Sequence, residues 1–209
     1  MRVTHRRALA TLMALGLGAV VPTAVVQSAE RTAAELMDTV MWSREPIGGR
    51  FALTDQNGVQ RTDADFRGKL MLVYFGFTYC PDVCPTDLQQ MGLAVDQLGN
   101  VGELVQPIFI TVDPERDTPE HLKDYMPLFH QRFIGLSGDA GATKEAARVY
   151  QVYYERVERR DLSDYTIDHS AFIYLMDRDG QYRGFFPPGT PADRIVDVIR
   201  PLIESARHP

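Results

Sequence analysis

Hydrophobic positions in this chain fall into two kinds of run, and the spacing inside each predicts what it builds. Unbroken apolar stretches bounded by proline, glycine or charge read as buried strands. They occupy residues 70–75, 105–112 and 171–176, with a shorter edge strand at 133–138. Mixed polar and apolar runs lie between and after them and read as helices. One opens at Pro85 and reaches about residue 98; a second, capped by Thr118 or Asp117 with Pro119 in its first turn, ends near Met126. A third covers 143–150, and 191–206 closes the chain as an amphipathic helix. Ile195, Val196, Val198, Ile199, Leu202 and Ile203 share one side of it, and Pro201 is a point to kink or break it.

Turn signals complete the pattern. Asn57-Gly58 between residues 51–53 and 59–62 is the strongest kind of short hairpin signal, and Asp179-Gly180 joins the 171–176 strand to a partner at 181–186. Asp177-Arg178-Asp179-Gly180 lacks the later ligands of a calcium loop, so a turn explains it. A strand at 152–157 leads into a charged excursion at 158–164. Strand, helix, strand, helix, then a hairpin and a helix is the order of a thioredoxin-like α/β fold. The expected architecture is a central mixed sheet flanked by helices, with an N-terminal hairpin and an inserted loop before the His-bearing strand.

The first residues do not belong to that pattern. Arg2, His5, Arg6 and Arg7 precede an uncharged stretch, residues 8–26, followed by Gln27-Ser28-Ala29. A basic region, an apolar core and a small-residue site make an export signal of residues 1–29. Nineteen uncharged residues also approach the length of a membrane span, so cleavage and retention as an anchor both stay open. Residues 30–48 read as a polar linker and 49–209 as the folded domain. Losing the three leader arginines takes the formal charge from −6 to about −9. An acidic body without a basic stripe excludes a nucleic-acid partner.

The chemistry concentrates in one stretch. Cys80 and Cys84, the chain's two cysteines, stand where the 70–75 strand hands over to a helix. Ligands of open α/β sheets collect at that carboxyl edge. Positions i and i+4 of a helical turn share a face, and a helix N-terminus favours thiolate. Such a pair exchanges disulfides, binds a soft metal or closes a structural bridge. A bridge closes a loop of about five residues, worth roughly 2 kcal/mol, in a chain long enough to bury its own core. Outside the cytosol a free dithiol is either maintained, occupied or cycled.

Asp168-His169-Ser170 sits directly before the 171–176 strand, and in a thioredoxin-like fold that loop faces the dithiol. Two thiolates and an imidazole form a soft, low-coordinate ligand set suited to Cu(I) or Zn(II). Structural zinc wants a fourth ligand, which no third cysteine supplies. Asp168 either orients the ring or is a loop carboxylate. Phe77 and Tyr79 either shield an ion or pack, and Asp82 either tunes the thiols or meets a partner. Asp113 and Glu115 suggest paired carboxylates for acid–base work, but a loop that caps the next helix is the simpler reading, and a docking edge is a third. The remaining histidines, His5, His121, His130 and His208, call for no special role.

The chain resembles the Sco/SenC family, thioredoxin-fold copper chaperones of cytochrome c oxidase assembly. The likeness is carried by the block from Phe75 to Pro85, by Val112 to Pro119, by Gly135-Leu136-Ser137-Gly138, and by Asp168-His169-Ser170 with Tyr174-Leu175-Met176-Asp177. With flanking elements it spans residues 51–203. The resemblance implies copper, as Cu(I) and with Cu(II) left open, bound by Cys80, Cys84 and His169. It also implies delivery to the binuclear copper centre in the copper-receiving subunit of the oxidase. An upstream copper donor or a thiol reductant and a membrane tether facing the periplasm fit the same picture. The rival reading is an exported thiol–disulfide oxidoreductase using Cys80 and Cys84 as a redox-active dithiol. Against it, three residues rather than two separate the cysteines, and Asp168-His169 stands where a proline precedes the facing strand of typical thioredoxin-like reductases.

Overall fold

The structure, a computed structural model, describes residues 46–158 and 165–205. The leader, nearly all of the expected linker and all of the charged excursion after Glu158 lie outside the described residues. Nine strands and four α-helices appear among those described. In chain order they are β1 (Ala52–Asp55), β2 (Gln60–Thr62), β3 (Leu70–Gly76), α1 (Val83–Gln97), β4 (Val105–Thr111), α2 (Pro119–Tyr125) and β5 (Ile134–Ser137). Then come α3 (Ala140–Val149), β6 (Tyr154–Glu158), β7 (Tyr165–His169), β8 (Ile173–Met176), β9 (Tyr182–Phe186) and α4 (Ala192–Ser205).

Seven strands form one mixed sheet in the order β2-β1-β5-β4-β3-β8-β9. β3, β4 and β5 run parallel, while β1, β8 and β9 join antiparallel. Every residue of β3 and β4 is buried, as the unbroken apolar runs require of parallel strands covered on both faces. α1 packs on β3 and β4 and against α4, α2 packs on β5, and α3 packs on β1. The β3-α1-β4 unit and the β8-β9-α4 unit are the two halves of the expected thioredoxin-like fold.

Local differences from the expected elements have simple causes. α1 begins at Val83, so Cys84 is already helical and Pro85 sits in the first turn, where backbone N–H groups lack helical partners anyway. α3 begins at Ala140 because Asp139 caps it, its Oδ1 accepting the Ala142 N–H at 2.7 Å. α4 runs through Pro201 without ending, its buried side held by Ile195, Ile199 and Ile203. The first hairpin turns as expected: Gly58 has φ +78°, and Asp55 Oδ1 accepts the Asn57 and Val59 N–H groups. Ile47 packs against the core and the Gly48 N–H reaches the Val149 carbonyl, so the last residues read as linker are laid onto the domain.

The largest difference concerns the segment around His169. It is not a loop entering the main sheet. β6 and β7 pair with each other as a separate antiparallel hairpin, with His169 at the end of β7 opposite Tyr154, and β8 starts only at Ile173.

Candidate metal centre

The site lies at the carboxyl ends of the parallel strands β3 and β4. β3 ends at Gly76, and the chain from Phe77 to Asp82 loops over to α1. Cys80 is half-buried in that loop, and Cys84 is fully buried in the first turn of α1. β7 brings His169 from the other side. The two sulfurs and a ring nitrogen of His169 all lie within 4.8 Å of one another, and Cys84 Sγ is 3.3 Å from His169 Nε2.

The ring is oriented by the backbone. His169 Nδ1 stands 3.2 Å from the Ser170 carbonyl oxygen. A carbonyl only accepts, so Nδ1 carries the hydrogen and donates to it, which leaves Nε2 as the ring atom that faces the sulfurs. Ser170 ties the end of the hairpin: its N–H donates to the Tyr153 carbonyl and its Oγ accepts the Tyr153 N–H. The Tyr74 and Phe77 rings meet the imidazole edge-on, at 6.2 and 5.8 Å between centroids.

Electrostatics divide the two thiols. The Cys84 thiol directs its hydrogen at Cys80, and together with His169 and the N–H groups of Asp82 and Cys84 this outweighs burial and holds Cys80 down to about 4. The same hydrogen bond, reinforced by burial, pushes Cys84 far up. The pair therefore holds one proton and one negative charge at neutral pH. Behind Cys84, the Tyr74 hydroxyl and Asp87 Oδ2 are buried. Asp87 Oδ1 accepts the Gly189 N–H at 2.7 Å.

Other residues singled out in the sequence take definite places. Asp82 and Asp168 are exposed, and Asp168 points to the opposite side of β7 from His169, so it does not orient the ring. Phe77 packs on His169, whereas Tyr79, 55% exposed, turns outward and stacks on His121. Asp113 does not cap α2; Thr118 does, its side chain accepting the His121 N–H. Asp113 is buried and bonds Arg116 and the Tyr165 hydroxyl, while exposed Glu115 lies 3.5 Å from Arg156.

Two residues to which sequence reasoning assigns no part in the site support the thiol loop, and one of them, Asp117, reads from sequence only as an alternative cap of α2. Buried Asp117 accepts from the Thr78 N–H at 3.0 Å, the Thr78 hydroxyl at 2.6 Å and the Thr111 hydroxyl at 2.7 Å. Thr78, having given its hydrogen to Asp117, accepts from His121 Nε2 at 2.9 Å. No local signal in the sequence joins Asp117 to Thr78, which lies 39 positions earlier.

Comparison with known proteins follows the same lines. The family model SCO1/SenC matches residues 40–204. Protein sco1 of Schizosaccharomyces pombe is 40% identical over 159 residues, covering 75% of this chain and 60% of that protein. The mitochondrial protein SCO2 homolog of Bos taurus is 44% identical over 154 residues, 73% of this chain and 58% of its own length. This chain thus spans about three-fifths of the length of these two relatives. The structure of Bradyrhizobium japonicum ScoI with copper bound superposes with a TM-score of 0.69 at 43% identity, covering 74% of this chain and 98% of that one.

Proposed function

The chain belongs to the SCO1/SenC family, and on that premise we propose that it is a copper chaperone. It takes Cu(I) on the sulfurs of Cys80 and Cys84 and on Nε2 of His169, and delivers it to the binuclear copper centre of cytochrome c oxidase. The convergence of these three donors within 4.8 Å carries the reading. Copper in the 43%-identical Bradyrhizobium japonicum structure supports it.

The donor set fits the cargo. Thiolate and imidazole suit Cu(I), which accepts three ligands. Loading forms two Cu–S bonds and one Cu–N bond, and Cys84 surrenders its proton. Delivery is ligand exchange: a bond to a receiving cysteine forms as one to this chain breaks, and the copper stays Cu(I). Half-exposed Cys80 is the first sulfur an incoming ligand meets. Cu(II) bound by the same residues belongs to this proposal as a second loaded form.

In this reading residues 1–29 act as an export signal or anchor, 30–48 as linker and 49–209 as the copper-binding domain, and the protein works in the periplasm. Among the described residues no helix is long and apolar enough to cross a membrane. The direct test mixes Cu(I)-loaded protein anaerobically with the apo copper-binding domain of an oxidase subunit, separates the two proteins and measures the copper carried by each. Transfer from the wild type and none from Cys84→Ser is expected. Equal loading by free Cu(I) and by loaded protein would contradict delivery.

A second reading, an exported thiol–disulfide oxidoreductase, draws on the Cys80 thiolate, half-exposed and held down to about 4. It predicts disulfide-reductase turnover that survives His169→Ala. The chaperone reading does not exclude reduction of the target cysteines before loading.

A further inference from the structure

The hairpin that delivers His169 has little backbone anchorage. Among the described residues β6 and β7 pair only with each other, and an isolated two-stranded hairpin is marginal in water. An imidazole that must meet two sulfurs needs its hairpin fixed by side chains. Ile167 is buried in the core and Tyr154 and Tyr165 pack against it, and a set of polar and stacking contacts between the hairpin and the thiol loop gathers at Arg116. Its Nε bonds Asp113 Oδ2 at 2.5 Å and its Nη1 bonds the Tyr165 carbonyl at 3.1 Å. The guanidinium lies over the Tyr165 ring at 3.7 Å and near the Tyr79 ring at 4.7 Å. Asp113 also accepts the Tyr165 hydroxyl at 2.8 Å, so residue and ring are held by the same buried carboxylate.

The contacts extend in both directions. Arg156 covers Tyr165 at 3.6 Å. Tyr79 stacks on His121 at 5.8 Å, and His121 on Tyr125 at 6.3 Å. Tyr125, His121, Tyr79, Arg116, Tyr165 and Arg156 thus form one continuous stack from α2 across the thiol loop to the hairpin. Two of its members adjoin the metal donors. Tyr79 immediately precedes Cys80, and Tyr165 stands on the same side of β7 as His169, four residues earlier.

We propose that Arg116 is a positioning residue for the metal site: it clamps the β6–β7 hairpin to the thiol loop and so sets where His169 stands relative to Cys80 and Cys84. The proposal rests on the reading of His169 as the third ligand. Only a planar guanidinium bonds Asp113 and a carbonyl while stacking on two rings, and lysine cannot do all of these at once.

The test uses the full chain with Arg116→Lys, Tyr165→Leu and His169→Ala. The first readout is amide hydrogen exchange of residues 165–169 in the metal-free, reduced protein, which does not depend on copper. Arg116→Lys and Tyr165→Leu should lose at least about tenfold of protection there, while β3 and β4 keep theirs. The second is Cu(I) affinity by competition, expected to fall about tenfold to hundredfold in both variants. Adding either change to His169→Ala should bring little further loss, because the two act through one ligand. Wild-type protection in β7 of both variants overturns the clamp. So does full rescue by lysine, which would reduce Arg116 to neutralising Asp113. Wild-type copper affinity in His169→Ala would instead overturn the ligand reading, and the exchange data would still decide the clamp separately.

Discussion

Gly76 is where a single methyl group tests the geometry of the site. A Cβ added there would stand 2.9 Å from Tyr74 Cε1, 3.0 Å from Cys84 Sγ and 3.2 Å from Phe109 Cε2. All three neighbours are fully buried, and two of them are ring edges held in β3 and β4. Cys84, with one side-chain torsion at the start of α1, is the group most able to yield. Overpacking of this kind costs about 2 kcal/mol. For a domain of this size that lowers the melting temperature by roughly 4–8 °C. A displaced Cys84 sulfur should also weaken Cu(I) binding about tenfold, or roughly 1.4 kcal/mol.

The control is Gly138→Ala, whose Cβ would meet Leu53 Cδ2 at 2.7 Å and Ala142 Cβ at 3.1 Å, away from the thiols. It should lower stability and leave copper affinity alone. Calorimetry and a chelator-competition titration on both variants decide the matter. Gly76→Ala that melts early yet binds copper like the wild type would refute the reasoning, because Tyr74 and Phe109, not the sulfur, would then have given way.

Three further outcomes follow from the same contacts. In the reduced, metal-free protein at pH 7, brief iodoacetamide treatment should modify Cys80 and spare Cys84, since one is a half-exposed thiolate down to about pH 4 and the other a buried thiol; equal labelling by peptide mass mapping would contradict this. Asp117→Ala leaves the Thr78 N–H and the Thr111 hydroxyl without their acceptor, and should cost about 3 kcal/mol in chemical denaturation, whereas Asp117→Asn keeps most of that. At Asp55, burial raises the carboxyl, but Arg61 and the N–H groups of Val59 and Asn57 outweigh it and hold it below the ordinary carboxylate range. A folded value below the unfolded one gives stability that is present above about pH 4 and lost as pH falls through the folded value. Arg61→Ala should therefore cost about 1 kcal/mol at pH 7 and progressively less as the pH falls below about 4, and a loss that does not change with pH would refute the pairing.

Much of this architecture was legible in the chain because its strongest signals are local. The 70–75 and 105–112 runs are unbroken because parallel strands covered on both faces need apolar residues throughout. Proline and glycine punctuate them at the turns. Cys80 and Cys84 could be placed at the sheet edge from their neighbours alone, and topology then brought Asp168-His169-Ser170 to face them. The hairpin that carries His169 was harder. β6 is mostly exposed and charged, and its pairing partner lies beyond a polar segment. A strand was expected at 152–157, where β6 lies, but the alternation of Tyr165, Ile167 and His169 was the available sign of its partner. Asp168 and His169 sit on opposite sides of that strand, so their adjacency in sequence carried no information about the ring. The supports of the site, Asp117 under Thr78 and Arg116 between Tyr79 and Tyr165, depend on contacts tens of residues apart. Neither hydrophobic period nor motif spacing encodes those.

The measurement that bears most directly on the central claim is an anaerobic Cu(I) titration against a competing chelator, comparing the reduced wild type with His169→Ala. The account predicts one tight equivalent in the wild type and binding weakened by at least about a hundredfold in the variant, with loss of the imidazole contribution to the copper X-ray absorption spectrum. A wild type that binds weakly, or a variant that binds as tightly with an unchanged spectrum, would contradict a site made by Cys80, Cys84 and His169.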